Sequence, residues 1–311
     1  MIQNIALLLA GLACAGVGGE LFLRGTVGFA RRWRISPAIA GVTLAAFATS
    51  SPELVVGIMS GINRQPQLSL GDVLGSNVVN IALVLALFLV IRPMERAAVE
   101  RRRDVIAALT VPVSIAILAG DGRLSRLDGA LLLVMFAGWL GSVLLEVRRQ
   151  RQEKPSEEVH KKKLAALFFG SGLLFLLLAG RLIVVGAQGL AEAWGIGSYA
   201  IGAVLVALGT SVPELATAII AAVKKHDDIG LGNILGSNIF NGWLIVGVVA
   251  LISPYALSFA AVWPALLAGV ITTVAIIPLA RGRLGRGRGL FLLILYLAFV
   301  LFTVSSAGGP K

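Results

Sequence analysis

One polar signature occurs twice in the chain, each copy inside a membrane-length apolar stretch. The first copy runs from Gly41 to Glu53 (GVTLAAFATSSPE) and from Gly71 to Asn80 (GDVLGSNVVN). The second runs from Gly202 to Glu214 (GAVLVALGTSVPE) and from Gly232 to Asn241 (GNILGSNIFN). Every equivalent pair is separated by 161 residues, without a gap. A carboxylate placed in hydrocarbon costs about 2.5–3.5 kcal/mol on insertion scales, so it marks a functional position by default. Two of them at repeat-equivalent positions point to one shared site.

The rest of the chain fits a membrane setting. Of 311 residues, 57% are hydrophobic and 14% charged, and the mean hydropathy is +0.91. A spanning helix needs roughly 20 mostly apolar residues. Ten such segments are read near 3–28, 37–62, 69–91, 104–120, 127–147, 164–190, 198–223, 230–252, 257–279 and 289–306. They leave no room for a sizeable soluble domain. The start, Met-Ile-Gln-Asn, lacks the basic region of a secretory signal, so the first segment is expected to be a retained helix. With one cysteine, Cys14, no intramolecular disulfide is expected.

The net charge of +11 belongs to topology rather than to nucleic-acid binding. With ten spans, 21 of the 27 Lys and Arg fall in loops on one side and 4 on the other, with Arg24 and Arg181 inside spans. The positive-inside rule puts the basic side in the cytoplasm, with both termini on the opposite face of a cell (inner) membrane. The polar stretch from Arg148 to Lys163 reads as a cytoplasmic linker between halves of five spans. An odd span count forces the second half into the membrane from the opposite side, a plan that recurs in secondary transporters. The expected fold is therefore an all-α multi-pass membrane protein: ten transmembrane helices in two inverted-topology five-helix repeats, 1–147 and 164–311, joined by 148–163. Identity between the halves is concentrated: 16 of 40 positions match between 41–80 and 202–241, with Trp33 and Ile35 matching Trp194 and Ile196 upstream.

Within each block the spacing assembles oxygen donors. Thr49 and Ser50 precede Glu53 by four and three residues, so the three share a helix face. Pro52 donates no N–H and is expected to free carbonyls around Ala46 to Thr49. The same holds for Ala207, Thr210, Ser211, Pro213 and Glu214. Ser76 and Asn80 are i and i+4, repeated as Ser237 and Asn241. Asp72, whose counterpart is Asn233, reads as an N-cap or entrance residue. Serine, threonine and asparagine also serve in membrane helices simply as interhelical hydrogen-bond donors. The paired glutamates have no such plain explanation. Glu20 and Arg24, at i and i+4, are expected to form a local ion pair. All candidate ligands are oxygens, the donors that hard cations such as Ca2+ accept six to eight at a time. Neither histidine falls in a span, which argues against zinc or copper.

At these residues the chain resembles the sodium/calcium exchanger family of the cation/calcium antiporter superfamily, prokaryotic type. The matching motifs are Ala48-Thr-Ser-Ser-Pro-Glu53 with Gly75-Ser-Asn-Val-Val-Asn80, and Gly209-Thr-Ser-Val-Pro-Glu214 with Gly236-Ser-Asn-Ile-Phe-Asn241. The resemblance implies Ca2+/Na+ exchange by alternating access at a midplane site, with Ca2+, Na+ and membrane lipid as partners. It implies no cofactor and no obligate protein partner. Glu53 and Glu214 would be shared by Ca2+ and Na+, and Thr49 and Thr210 would offer carbonyls to Ca2+. Ser50, Ser76, Ser211 and Ser237 would complete Na+ sites with the carbonyls of Ala46 and Ala207, while Asn80 and Asn241 would line the centre. The first and sixth helices would slide against the rest, eased by Gly16, Gly18, Gly19, Gly170, Gly172 and Gly180. Two departures stand out: Ala48 replaces the usual glycine, and both central positions are Asn where several relatives carry Asp at one. The alternative is a Ca2+/H+ antiporter using the same glutamates as proton acceptors; proton-coupled relatives usually carry Gly-Asn-x-x-Glu at this motif. An intramembrane serine hydrolase lacks a base near any serine, and a channel fits paired, occluding sites less well.

Overall fold

The computed structural model describes residues 1–94, 102–153, 162–193, 207–277 and 283–307. It is built almost wholly of helices. Helix α1 spans Ile2–Trp33. Helices α2 (Pro37–Thr49) and α3 (Ser51–Ile62) meet at a bend of 46°. The continuous helix α4 covers 66–91. Then come α5 (Arg102–Leu118), strand β1 (Arg123–Leu124) and α6 (Arg126–Glu153). The second half holds α7 (Lys162–Ala193), α8 (Ala207–Thr210), α9 (Val212–Val223) and α10 (227–252). Strand β2 (Tyr255–Ala256), α11 (Phe259–Ala275) and α12 (Arg286–Ala307) complete it.

Among the described residues seven helices are long and apolar enough to cross a membrane, and the bent pair raises this to eight. Two shorter apolar helices, Val212–Val223 and Val262–Ala275, lie where the seventh and ninth spans were expected. The expected seventh span before Ala207 lies outside the described residues, as do Trp194 and Ile196. The segment read as linker is partly helical: α6 runs on to Glu153 and α7 begins at Lys162, with 154–161 outside the described residues. Arginine, glutamine and glutamate have high helix propensity, so α6 continues past its apolar end.

The bend at Ser50 has the cause read from the sequence. Ser50 leaves helical geometry (φ −83, ψ 10) and Pro52 enters the first turn of α3. Ser211 does the same before Pro213 (φ −83, ψ 3). The ends of α3 and α9 also match. Arg64 and Lys225, separated by 161 residues, both take the left-handed conformation (φ 59 and 62) and close the same pair of turns. Arg64 N–H bonds Gly61 O and Gln65 N–H bonds Ser60 O; Lys225 N–H bonds Ala222 O and His226 N–H bonds Ala221 O. This is the Schellman closure, formed here without glycine.

Among the described residues three stretches widen into π-helix: Gly41–Ala45 in α2, Asn80–Leu85 in α4 and Phe240–Ile245 in α10. Such widenings often occur at functional sites. Nothing in the apolar pattern announces them.

Burial separates centre from rim. In the apolar windows of α4 and α10, 72% and 83% of residues are buried, against 22% for α1, α6 and α7. The side chains that α1 leaves uncovered include Leu9 and Leu12, as a lipid-facing helix requires. Helix α10 seats on α2 through Gly232, where a Cβ would lie 2.9 Å from the Ala38 carbonyl oxygen. Helix α1 lies along α7, with Gly18 and Gly172 in mutual contact, while Gly19 turns to Ala216 of α9. Gly16 and Gly170, two of the glycines expected to ease sliding, face open space instead. Glu20 pairs with Arg24 at 2.7 Å, as expected, and also with Lys224 at 3.1 Å, which ties α1 to the end of α9.

Gly232→Leu should unseat α10 from α2 and abolish the monodisperse peak in detergent size-exclusion chromatography. Gly138→Leu, on a face of α6 with nothing near its Cβ, should elute unchanged.

Candidate functional site

The two signature blocks meet in the interior. Glu53 and Glu214 are both 0% exposed. Each follows a helix break by three residues, so a kinked turn carries its carboxylate inward from the first turn of α3 or α9. Thr49, Ser50, Ser76, Asn80, Ser211, Ser237 and Asn241 are buried with them, and Thr210 is half-buried.

Contacts run from block to block. The Glu214 carboxylate accepts hydrogen bonds from Ser50 Oγ at 3.1 Å and Ser237 Oγ at 3.0 Å, both to Oε1. Thr49 Oγ1 donates to Asn233 Oδ1 at 3.2 Å and lies 3.5 Å from Ser237 Oγ. Thr210 Oγ1 makes the repeat-equivalent contacts, to Asp72 Oδ1 at 3.2 Å and Ser76 Oγ at 3.3 Å. At the centre the exchange is reciprocal. Asn77 Nδ2 donates to the Asn238 carbonyl at 3.2 Å, and Asn238 Nδ2 to the Asn77 carbonyl at 3.1 Å. Asn80 Nδ2 adds a bond to Asn238 Oδ1 at 3.0 Å.

The symmetry stops at the glutamates. No hydrogen bond mirrors Ser50–Glu214 and Ser237–Glu214: both Glu53 oxygens and Ser211 Oγ have no hydrogen-bond partner among the described residues. Asn241 lacks the bond that Asn80 makes, and its buried carboxamide has no hydrogen-bond partner among the described residues. Glu53 lies within electrostatic reach of Glu214 and Asp72. Buried oxygens left unmatched cost roughly 1–3 kcal/mol each, and more when charged.

Two readings from the sequence need correction. Asp72 is no N-cap: its helix begins at Pro66, after Gln65, and Asp72 is buried within it against Thr210. Nor are all carbonyls before Pro52 free. Ala46 O accepts the Ser50 N–H at 3.0 Å, and Ala207 O accepts the Ser211 N–H at 3.3 Å. A missing N–H at residue 52 removes the partner of Ala48, four residues back, and leaves the Ala46 bond intact. Ala46 and Ala207 could still use a second lone pair.

Asn77, Asn238, Asn233 and Asp72 lie outside the ligand set that the sequence suggests, yet they hold the two blocks together. The identity of Asn77 and Asn238 at the repeat spacing was the available signal.

The donor set is all oxygen: carboxylate, hydroxyl, amide and carbonyl. Among the described residues no three His, Cys, Asp or Glu side chains gather into a metal cage, so a cation here would rely on neutral oxygens beside the glutamates. Such a set suits hard cations.

The sodium/calcium exchanger protein family profile matches residues 3–145 and 164–305. The chain belongs to this family. It is 34% identical over 265 residues to the inner membrane protein YrbG of Escherichia coli K12, covering 82% of this chain and 81% of YrbG. It is 27% identical to the sodium/calcium exchanger MaX1 of Methanosarcina acetivorans, over 96% of this chain and 97% of MaX1. The solved structure of the sodium-calcium exchanger NCX_Mj, soaked with 2.5 mM Na+ and 0.1 mM Ca2+, superposes with a TM-score of 0.80 at 28% identity. That match covers 97% of this chain and 98% of NCX_Mj. The exchanger is thus a transmembrane antiporter, a transporter rather than an enzyme, and its family works without a cofactor.

Asn238→Leu removes two side-chain bonds, one to Asn77 O and one from Asn80, and should destabilise the exchanger by about 1–2 kcal/mol. Asn77→Leu removes one and should cost about half as much. Thermal unfolding in detergent, followed by tryptophan fluorescence, checks the order.

Proposed function

We propose that the exchanger moves Ca2+ in one direction and Na+ in the other, through one midplane site used alternately from each face. The observation that carries this reading is the pair of fully buried glutamates, Glu53 and Glu214, the second accepting hydroxyls from Ser50 of the first block and Ser237 of the second. The names of MaX1 and NCX_Mj favour the same ion pair.

Each proposed ligand has a role set by its chemistry. The two carboxylates neutralise one divalent ion or share several monovalent ones. Ser50, Ser76, Ser211 and Ser237 add neutral oxygens, as do the carbonyls of Thr49, Thr210, Ala46 and Ala207. Asn80 and Asn241 line the centre and cannot titrate. Because Ca2+ and Na+ compete for the same oxygens, each is released when the other stabilises the site, and that competition is the basis of exchange.

The proposed architecture is ten spans in two inverted five-helix repeats. Several matches at the 161-residue spacing favour it: the helix breaks at Ser50 and Ser211, the closures at Arg64 and Lys225, and the reciprocal Asn77–Asn238 bonds. Met94 bridges to Leu284, and β1 pairs with β2 as Arg123 with Ala256 and Leu124 with Tyr255; Tyr255 and Arg123 are the 161-residue counterparts of Met94 and Leu284, so the two bridges fall within one residue of repeat equivalence. The charge asymmetry of the loops favours both termini outside the cytoplasm. Helices α1 and α7, in mutual contact at the rim, are the proposed moving pair.

Liposomes loaded with Na+ and diluted into Na+-free medium should take up Ca2+. Uptake driven only by a pH gradient would replace the sodium reading with proton exchange, and Ca2+ flux without any counter-ion gradient would point to a channel. Glu53→Gln and Glu214→Gln should each reduce exchange to background; normal transport by either variant removes that glutamate from the site.

A further inference from the structure

The two halves of the site differ by one charge. At equivalent positions of the third and eighth expected spans stand Asp72 and Asn233. Both side chains are buried, at 7% and 0% exposure. Both accept a hydroxyl through Oδ1, Asp72 from Thr210 and Asn233 from Thr49, each at 3.2 Å. The repeat therefore contains its own control. An amide fulfils the structural task at Asn233, so the hydrogen bond to Thr210 does not require a carboxylate at position 72.

What the carboxylate adds is a charge and a second oxygen. Asp72 Oδ2 is buried and has no hydrogen-bond partner among the described residues. No Lys, Arg or His pairs with Asp72 among them; residues 194–206, outside the described residues, contain no charged residue. The charged groups it faces are carboxylates, with Glu53 in electrostatic reach. Asp72 stands on the same flank as the unmatched Glu53 oxygens and beside Thr210 and Ser76. A buried anion surrounded by acceptors and hydroxyls is stabilised by a cation.

Asp72, Glu53 and Glu214 do not close into a cage around a single ion. We infer that Asp72 is a ligand of a separate cation position on the Glu53 flank, completed by the hydroxyls of Thr210 and Ser76, and that this position takes Na+. One carboxylate with neutral hydroxyls balances a monovalent ion, whereas Ca2+ favours more charge and more ligands. The two halves of the exchanger would then be unequal in sodium binding, with the first carrying the stronger position.

The inference rests on the proposed exchange through Glu53 and Glu214, and its test is separable from that reading. Asp72→Asn keeps the acceptor for Thr210 and removes only the charge. In proteoliposomes its KM for Na+ should rise about tenfold, while its KM for Ca2+ stays within about twofold of the unsubstituted protein. An unchanged KM for Na+ overturns the assignment, and a rise for Ca2+ alone overturns the choice of ion. Purified protein gives a second measurement that does not depend on transport: the increase in Tm on adding NaCl, compared with choline chloride, should shrink in Asp72→Asn. If Asp72→Ala loses the effect and Asp72→Asn retains it fully, Asp72 is only a hydrogen-bond acceptor and the inference fails. Normal transport by Glu53→Gln and Glu214→Gln would instead defeat the underlying reading, whatever Asp72→Asn does.

Discussion

Two buried carboxylates, with no cationic side chain beside them among the described residues, set the terms for the rest of this molecule. In hydrocarbon such groups are admissible only within a protein interior that offers polar partners. Ser237 of the deeply buried α10 and Ser50 at the break between α2 and α3 supply the bonds to Glu214, while α1, α6 and α7 are the far less buried rim. The breaks at Ser50 and Ser211 turn the glutamates inward, and the close seating of Gly232 on α2 brings the second block within hydrogen-bonding distance of the first. Small residues at helix crossings thus serve the site as much as the packing.

The site is symmetric in its framework and asymmetric in its bonding. Asn77 and Asn238 exchange identical bonds across the centre, and the two threonines have equivalent partners. Glu214 is held by two serines, while Glu53 is held by none. A transporter built from related halves can change state by exchanging such contacts between them, because each half has an alternative of nearly the same chemistry. The unequal glutamates are what one member of such a pair of states would look like.

The single-charge difference between Asp72 and Asn233 belongs to another level. It is fixed in the sequence and persists in every conformation. Exchange through two related half-sites does not require the halves to bind equally, and a third carboxylate on one flank is a direct way to make them unequal.

The sequence by itself determined that the chain lies in a membrane, where its glutamates sit relative to the helix breaks, and that two blocks spaced by 161 residues belong together. Hydropathy, proline and the i, i+4 rule are local properties, so they can be read along the chain. The tertiary structure decided which oxygens are already engaged. The Ala46 carbonyl keeps its Ser50 partner, Asp72 is an interior residue facing Thr210, and Asn238 makes three bonds to Asn77 and Asn80 at the centre. The π-helical stretch that begins at Asn80 and the one that contains Asn241 also came only from the fold. The Asp72 and Asn238 contacts join residues more than 130 positions apart, where packing rather than local propensity selects the partner.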